Sequence, residues 1–192
     1  MLKKAKGLIL NFKILRFLLI PAILFPIQFF NNVKGVKAGL EFQWDQNSGY
    51  RRLKWFQKEN RSRFRNTIYF FFRPSDRSTE LLKINLSIPK TFKATLNEEK
   101  ISFCKVIIGG FDKRTKCLED IPADIEINTD ESGLRSLNVF PYSPIPINKE
   151  SYAVEIKVFN PRKSGLYQFH SYGQPKGKSV STYLGSWTIL ID

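Results

Sequence analysis

The chain contains few of the residues from which metal centres and catalytic sites are built. It has one histidine and two cysteines in 192 residues. A structural zinc ion needs four ligands, so two cysteines and one histidine leave its coordination incomplete. The motifs GxSxG, HExxH and GxGxxG are also missing. His170 lies among aromatic residues of a predicted strand, where a lone histidine is usually a hydrogen-bonded structural residue. The sequence therefore predicts a binding or structural module that is not an enzyme, with no cofactor and no metal centre. The alternative is an enzyme whose site would need Asp124, Glu126, Asp130 and His170 together, and nothing in the sequence brings them together.

Long hydrophobic runs are missing as well. The longest apolar run, FLLIPAILFPIQFF, begins at Phe17 and ends at Phe30. As a helix it would reach about 21 Å, against about 30 Å for the hydrocarbon core of a bilayer. Basic residues precede this run, and small residues follow at Val36 and Ala38, as in a secretory signal peptide. We therefore predict a signal peptide over residues 1–38, with an uncleaved membrane anchor as the alternative. Either way, the rest of the chain is expected outside the cytoplasm, in the periplasm, the thylakoid lumen or the medium.

Acidic residues are scarce relative to basic ones. The chain carries 31 Lys and Arg against 17 Asp and Glu, for a net charge of +14. Seven of the basic residues and none of the acidic ones precede residue 39, so removal of the signal peptide lowers the excess to +7. A basic protein often binds nucleic acid, but an exported one rarely meets it. Anionic lipid headgroups or envelope polymers are therefore the expected partners, and nucleic acid is not.

The remaining excess charge is concentrated in a basic, aromatic segment that we place at residues 39–65. Within it, YRRLKWFQKENRSRFR interleaves aromatic rings with seven basic residues. Such a segment could place rings at a membrane interface while Lys and Arg contact phosphates. The residues proposed for contact with an anionic surface are Arg51, Arg52, Lys54, Trp55, Lys58, Arg61, Arg63 and Arg65. The alternative is a solvated linker or an edge strand whose rings pack on the domain.

The two cysteines form a possible disulfide. Cys104 and Cys117 flank KVIIGGFDKRTK, in which Gly109 and Gly110 supply a turn. Outside the cytoplasm, such a pair is interpreted first as a disulfide, which would stabilise a loop of this length by about 3 kcal/mol. Two unrelated, reduced cysteines remain the alternative.

Apolar residues recur with a period of two along the body of the chain. Residues 82–88, 152–158 and 187–191 alternate in this way, whereas residues 67–72 (TIYFFF) are continuously apolar. Alternation predicts strands with one wet face, and the continuous run predicts a strand buried on both faces. Gly, Pro, Asn and Asp separate the strands at short intervals. We therefore predict an all-β, antiparallel β-sandwich of immunoglobulin-like or Greek-key type over residues 66–192, as a single domain.

An acidic stretch, EDIPADIEINTDESG, is a weak candidate for calcium binding. If it is extended, Asp124, Glu126, Asn128 and Asp130 share one face. Calcium takes six to eight oxygen ligands, so four oxygen-bearing side chains are a partial set. The alternative is an edge strand whose charges prevent aggregation.

The second half of the chain resembles a known family. The pattern consists of Pro144 and Pro146 before a strand, the sequence NPR at residues 160–162, GLYQF at residues 165–169, and Leu184-Gly185 before a final strand. Upstream, NTIYFFFRPSD and LLKINLSIP are similar to the family's opening pair of strands. These features resemble domain-of-unknown-function family twenty-eight-oh-eight, a family of exported cyanobacterial proteins. The resemblance covers residues 66–192 and is strongest from residue 141 onward. It implies export and a β-rich domain, and it implies no activity.

Overall fold

The computed structural model describes residues 49–192. The predicted signal peptide at residues 1–38 lies outside the described residues, as does the first part of the segment 39–65. The described residues form ten strands and two short 3-10 turns, Pro74–Asp76 and Glu98–Lys100. The strands are β1 (Trp55–Gln57), β2 (Arg65–Phe72), β3 (Leu81–Ile88), β4 (Ile101–Ile107), β5 (Lys116–Asp120), β6 (Ala123–Thr129), β7 (Arg135–Pro141), β8 (Tyr152–Phe159), β9 (Gly165–Pro175) and β10 (Thr182–Ile191).

The strands make two five-stranded antiparallel sheets. The first sheet has the order β1-β2-β8-β4-β5, and the second has the order β10-β9-β3-β7-β6. Each sheet contributes one apolar face to a shared core, as the alternating pattern requires. The prediction of an all-β antiparallel sandwich is therefore confirmed.

The core between the sheets is rich in aromatic rings. Trp187 of β10 is fully buried, and its ring centroid lies 4.7 Å from that of Phe70 and 5.4 Å from that of Phe72. The indole Nε1 donates a hydrogen bond of 3.0 Å to the Lys54 carbonyl oxygen, so its one polar atom is satisfied. Buried aromatic side chains of this size contribute the largest share of apolar area to such a core.

Strand β2 is buried on both faces, as its continuous apolar sequence predicts. Ile68, Phe70 and Phe72 point into the core between the sheets, whereas Tyr69 and Phe71 join a second buried cluster. That second cluster also contains Cys104, Val106 and Ala153, which places it on the outer face of the first sheet.

The described part of the basic segment is built into the sandwich. Strand β1 pairs with β2 at the edge of the first sheet, and Leu53 is buried in the core. The Leu53 amide donates a hydrogen bond to the Ser186 carbonyl of β10, so this segment links an edge of each sheet. The boundary expected at residue 66 therefore does not coincide with an edge of the fold. From residue 49 onward, this segment contains an edge strand in which Trp55 packs against the core, whereas Phe56 and the nearby Phe64 are exposed.

Candidate functional site

The connection between β4 and β5, residues 108–115, forms a loop closed at its base by a disulfide. Cys104 and Cys117 are bonded, with their Cα atoms 5.7 Å apart, as the sequence predicts. The two strands pair in antiparallel register, with an irregularity between Lys105 and Val106. We call residues 101–120, comprising β4, the loop and β5, the disulfide hairpin.

Hydrogen bonds within the loop fix its conformation. The Gly109 amide donates to the Thr115 hydroxyl at 2.9 Å, and the Gly110 amide donates to the Lys113 carbonyl at 2.9 Å. A Cβ atom at position 109 would lie 2.5 Å from the Thr115 nitrogen, so only glycine fits there. The GG pair noted in the sequence is thus a requirement of the loop's close internal packing.

A cavity of about 800 Å³ lies between this loop and the β1 region of the sheet. Its lining contains four basic residues, Lys58, Lys113, Arg114 and Lys116. No acidic residue belongs to the described lining, whose other members are Phe56, Gly109, Gly110 and Thr115. We call this feature the basic cavity.

Aromatic rings support the β1 side of the basic cavity. Phe56 lies 6.1 Å from Tyr69, measured between ring centroids, and the Lys58 ammonium lies 5.8 Å from the Tyr69 centroid. Burial raises the pKa of the Tyr69 phenol, and the neighbouring buried carboxylate of Glu155 raises it further. Tyr69 is therefore neutral at physiological pH, and the positive charge of Lys58 is not cancelled by a phenolate.

Phe111 occupies the outer turn of the loop. Its side chain is fully exposed, at 106 % of the reference accessibility. Within residues 109–116, only Phe111 and Asp112 do not line the basic cavity. The cations of the loop therefore line the basic cavity and are themselves exposed, and Phe111 is presented to solvent beside them.

The basic residues predicted to form one anionic-surface contact are spread along the sheet edge. Arg51 makes an ion pair of 3.5 Å with the buried Asp76, and Arg61 makes one of 2.6 Å with Glu59. The bond from Arg61 is the main cause that lowers the pKa of Glu59 to about 2. Of the eight residues predicted for this contact, only Lys58 lines the basic cavity. Trp55 packs against the core, and Arg65 lies over the Phe159 ring. The backbone of Arg52 forms an isolated β-bridge with that of Ser186, and the side chains of Lys54 and Arg63 are exposed.

A second basic surface lies at the end of the sandwich where β8 ends and β2 begins. Two grooves there are lined by basic residues, and no acidic residue belongs to the described lining of either. Arg65, Lys100 and Lys157 line the first groove, and Lys93, Arg162 and Lys163 line the second. We call this feature the basic end.

The weak calcium candidates do not converge. Asp124, Glu126 and Asn128 are exposed along the edge strand β6. Asp124 accepts a hydrogen bond from the Tyr142 hydroxyl, and Asp130 accepts bonds from the Ser132 hydroxyl and the Leu134 amide. Among residues 49–192, no three His, Cys, Asp or Glu side chains are grouped closely enough to hold a metal ion. The arrangement fits the alternative of a charged edge strand.

His170 lies in a hydrogen-bonded group on the outer face of the second sheet. Its Nδ1 atom is 2.7 Å from the Ser186 hydroxyl, which is 2.6 Å from the Tyr183 hydroxyl. Ser186, whose hydroxyl links the His170 ring to the Tyr183 hydroxyl, is fully buried. The geometry is that of a structural histidine.

The sequence reasoning missed Phe111, Lys113, Arg114 and Lys116. The available signal was GGFDKRTK between the two cysteines, because a phenylalanine beside two glycines and three cations has no apolar periodicity to bury it.

Within the described part of the chain, no helix has the length and apolar character needed to cross a membrane.

Solved structures with a similar fold include a bacterial hydrophobin and two collagen-binding domains. The chain is similar to BslA, described as a bacterial hydrophobin, with 14% identity, a TM-score of 0.44, and coverage of 74% of this chain and 95% of that one. It is similar to a collagen-binding domain from a Staphylococcus aureus adhesin, with 14% identity, a TM-score of 0.35, and coverage of 66% and 87%. It is also similar to ACE19, the collagen-binding subdomain of the Enterococcus faecalis surface protein ACE, with 11% identity, a TM-score of 0.38, and coverage of 71% and 95%. These likenesses concern the fold alone.

Sequence comparison is more specific. Among curated proteins, none matches the chain significantly. A family model described as "Protein of unknown function (DUF2808)" matches residues 44–191, which is most of the chain. The match agrees with the pattern identified in the second half of the sequence and extends it upstream through β1. The chain belongs to the DUF2808 family of proteins of unknown function.

Proposed function

We propose that this protein is an exported, non-enzymatic module that binds an anionic component of the cell envelope. The observation that carries the proposal is the basic cavity, where Lys58 and three cations of the disulfide hairpin line one space without an acidic residue in its described lining. The signal-like N-terminus and the disulfide support an extracytoplasmic location. The proposal does not need a metal or a cofactor.

The positive charges around the basic cavity favour the binding of an anion. Four like charges held around one space repel one another, and an anion placed among them relieves that repulsion. Basic groups near an anionic surface contribute about 1 kcal/mol each, so four such groups supply useful affinity. The lining also contains the exposed ring of Phe56, which offers apolar contact beside the charges.

A pelleting assay tests this function. The full chain is mixed with isolated envelope membranes or with peptidoglycan, and the bound fraction is measured at about 0.05 M and about 0.5 M NaCl. We expect binding that weakens at high salt and is lost in the quadruple variant Lys58→Gln, Lys113→Gln, Arg114→Gln and Lys116→Gln.

A variant of the basic end provides the matched control. The variant Lys93→Gln, Lys100→Gln, Arg162→Gln and Lys163→Gln removes the same number of charges from surface positions. We expect it to retain most of the binding. If both variants lost binding equally, net charge rather than the basic cavity would be responsible. If the wild-type protein failed to pellet with either preparation, the proposed function would be wrong.

A further inference from the structure

We propose that the surface bound through the basic cavity is an anionic phospholipid bilayer, and that Phe111 inserts its ring into the interface while the neighbouring cations contact lipid phosphates. This inference rests on the proposed function and names its partner. It assigns the disulfide hairpin as a membrane-contacting element.

The exposure of Phe111 is the first observation. A phenylalanine with its whole side chain in water forgoes about 1.5–3 kcal/mol of burial free energy. Exposed apolar residues are common singly, but the same hairpin also exposes Ile108 and Leu118, at 38% and 51%. Three large apolar side chains are thus exposed on one short element. Phe111 belongs to neither of the two buried clusters.

Charge complementarity is the second observation. Lys113, Arg114 and Lys116 follow Phe111 within five positions, and Asp112 is the loop's single acidic residue. Aromatic rings seated at the headgroup level with Lys and Arg beside them are the usual composition of a peripheral membrane contact. A soluble anionic polymer would engage the charges but would leave the Phe111 ring in water. The combination therefore favours a lipid surface over a polymer.

The third observation is that the loop is already ordered. The Gly109–Thr115 and Gly110–Lys113 hydrogen bonds and the Cys104–Cys117 disulfide hold its turn in place. A contact element that is fixed before binding loses less conformational entropy when it binds. The ring of Phe111 is consequently presented to a surface at little additional cost.

Vesicle flotation tests the inference. The full chain is mixed with phosphatidylcholine vesicles containing about 30% phosphatidylglycerol, and with vesicles of phosphatidylcholine alone. We expect binding to the anionic vesicles only. Phe111→Ser should weaken that binding about tenfold, because the ring's transfer into the interface is lost. Phe111→Trp should retain it, and its fluorescence should shift to the blue relative to the wild-type protein when anionic vesicles are added.

Val180→Ser is the matched control. Val180 is 71% exposed in the loop between β9 and β10, where Lys176 and Lys178 also lie, so the substitution removes an exposed apolar group from another basic loop. We expect it to bind vesicles like the wild-type protein. Equal losses in Phe111→Ser and Val180→Ser would overturn the assignment of the contact to the disulfide hairpin.

Further outcomes separate this inference from the proposed function. If Phe111→Ser bound anionic vesicles as tightly as the wild-type protein, insertion would be wrong. A different outcome would identify the partner as a polymer: the protein would bind soluble polyphosphate, Phe111→Ser would not change that binding, and the protein would not bind the vesicles. In that case pelleting with peptidoglycan or envelopes would persist, and the proposed function would survive without the lipid assignment. Failure of the envelope assay itself would overturn both.

Discussion

At the scale of single residues, Gly185 shows how one missing side chain allows two sheets to be joined. Its φ is +146°, and it follows an irregularity in the pairing of β10 with β9. A Cβ atom there would lie 2.6 Å from the Leu53 Cγ atom and 2.7 Å from the Arg51 carbonyl oxygen. The chain at this glycine therefore combines a bulge in β10 with a close approach of the Leu53 segment.

Gly185→Ala should therefore destabilise the protein more than an equivalent change elsewhere. Gly165 has a similar φ of +149°, but nothing lies within 4 Å of its hypothetical Cβ, so Gly165→Ala is a matched control. Both variants incur about 1–3 kcal/mol of backbone strain, and only Gly185→Ala adds a steric clash with Leu53 and the Arg51 backbone. Urea unfolding should show a larger loss of unfolding free energy, by about 1 kcal/mol or more, for Gly185→Ala. Equal losses would mean that the approach of the Leu53 segment does not depend on this glycine.

At the scale of elements, the disulfide hairpin is held by a covalent link that lies outside the main core. Cys104 belongs to the buried cluster on the outer face of the first sheet, whereas the main core contains neither cysteine. The bond closes a loop with a sequence separation of 13. Loss of the link should loosen the hairpin without abolishing the sandwich.

Reduction should accordingly lower the unfolding free energy by about 3 kcal/mol on the chain-entropy description of disulfides. Urea denaturation with and without dithiothreitol measures this difference, and far-ultraviolet circular dichroism at 25 °C should stay unchanged. The double variant Cys104→Ala with Cys117→Ala should have the unfolding free energy of the reduced protein, and dithiothreitol should not change that value. Complete unfolding on reduction would show that the two sheets do not fold without the bond.

At the scale of the whole molecule, several carboxylates are stabilised in their charged form by the folded chain. The side-chain hydrogen bond from Arg61 lowers the pKa of Glu59 to about 2. The bond from Lys105 lowers the pKa of Glu150, and that from the Ser132 hydroxyl lowers the pKa of Asp130. Each group binds its proton less readily in the folded chain than in the unfolded one.

The protein should therefore lose stability in acid. The contribution of these groups is complete above their unfolded pKa values of about 4, and it declines as the pH falls through the lower folded values. The midpoint temperature of thermal unfolding should decrease as the pH is lowered from about 5 to about 2.5. The decrease should be less steep in about 0.5 M NaCl, because solvent and salt screen partly exposed pairs. Glu59→Gln should flatten this dependence. A midpoint that rose toward pH 2.5 would contradict the assigned directions.

The strands show how far local pattern carries a prediction. Alternation located β3, β8 and the second half of β10, and the apolar run of residues 67–72 located β2 with both of its faces buried. Strand β10 begins before the alternation at residues 187–191 and continues through a bulge at Gly185. Alternation did not locate β1, because three residues are too few to show a period of two, so an edge strand in that segment was only an alternative.

The candidate site lay beyond the reach of local pattern for a different reason. Lys58 and Lys113 are far apart in the sequence, and only sheet pairing and the return of the β4–β5 loop bring them to one cavity. The sequence reasoning concentrated on residues 51–65, where the charges are contiguous, but adjacent charges on an edge strand face different surroundings. Arg51 contacts Asp76 and Arg61 contacts Glu59, so both are engaged in intramolecular pairs.

The sequence by itself determined the all-β class, several of the strands and the membership of the family, and it indicated the cysteine pair, because alternation, turn residues and motif spacing are local properties of a chain. Tertiary structure alone decided that the described part of the basic segment, from residue 49 onward, forms part of the sandwich and that Lys58 joins the cations of the disulfide hairpin. It also decided that Phe111 is left in water while the other phenylalanine of that hairpin, Phe103, is buried. The physical reason is that burial and electrostatic convergence depend on which distant strands pair, and strand pairing is a property of the whole chain.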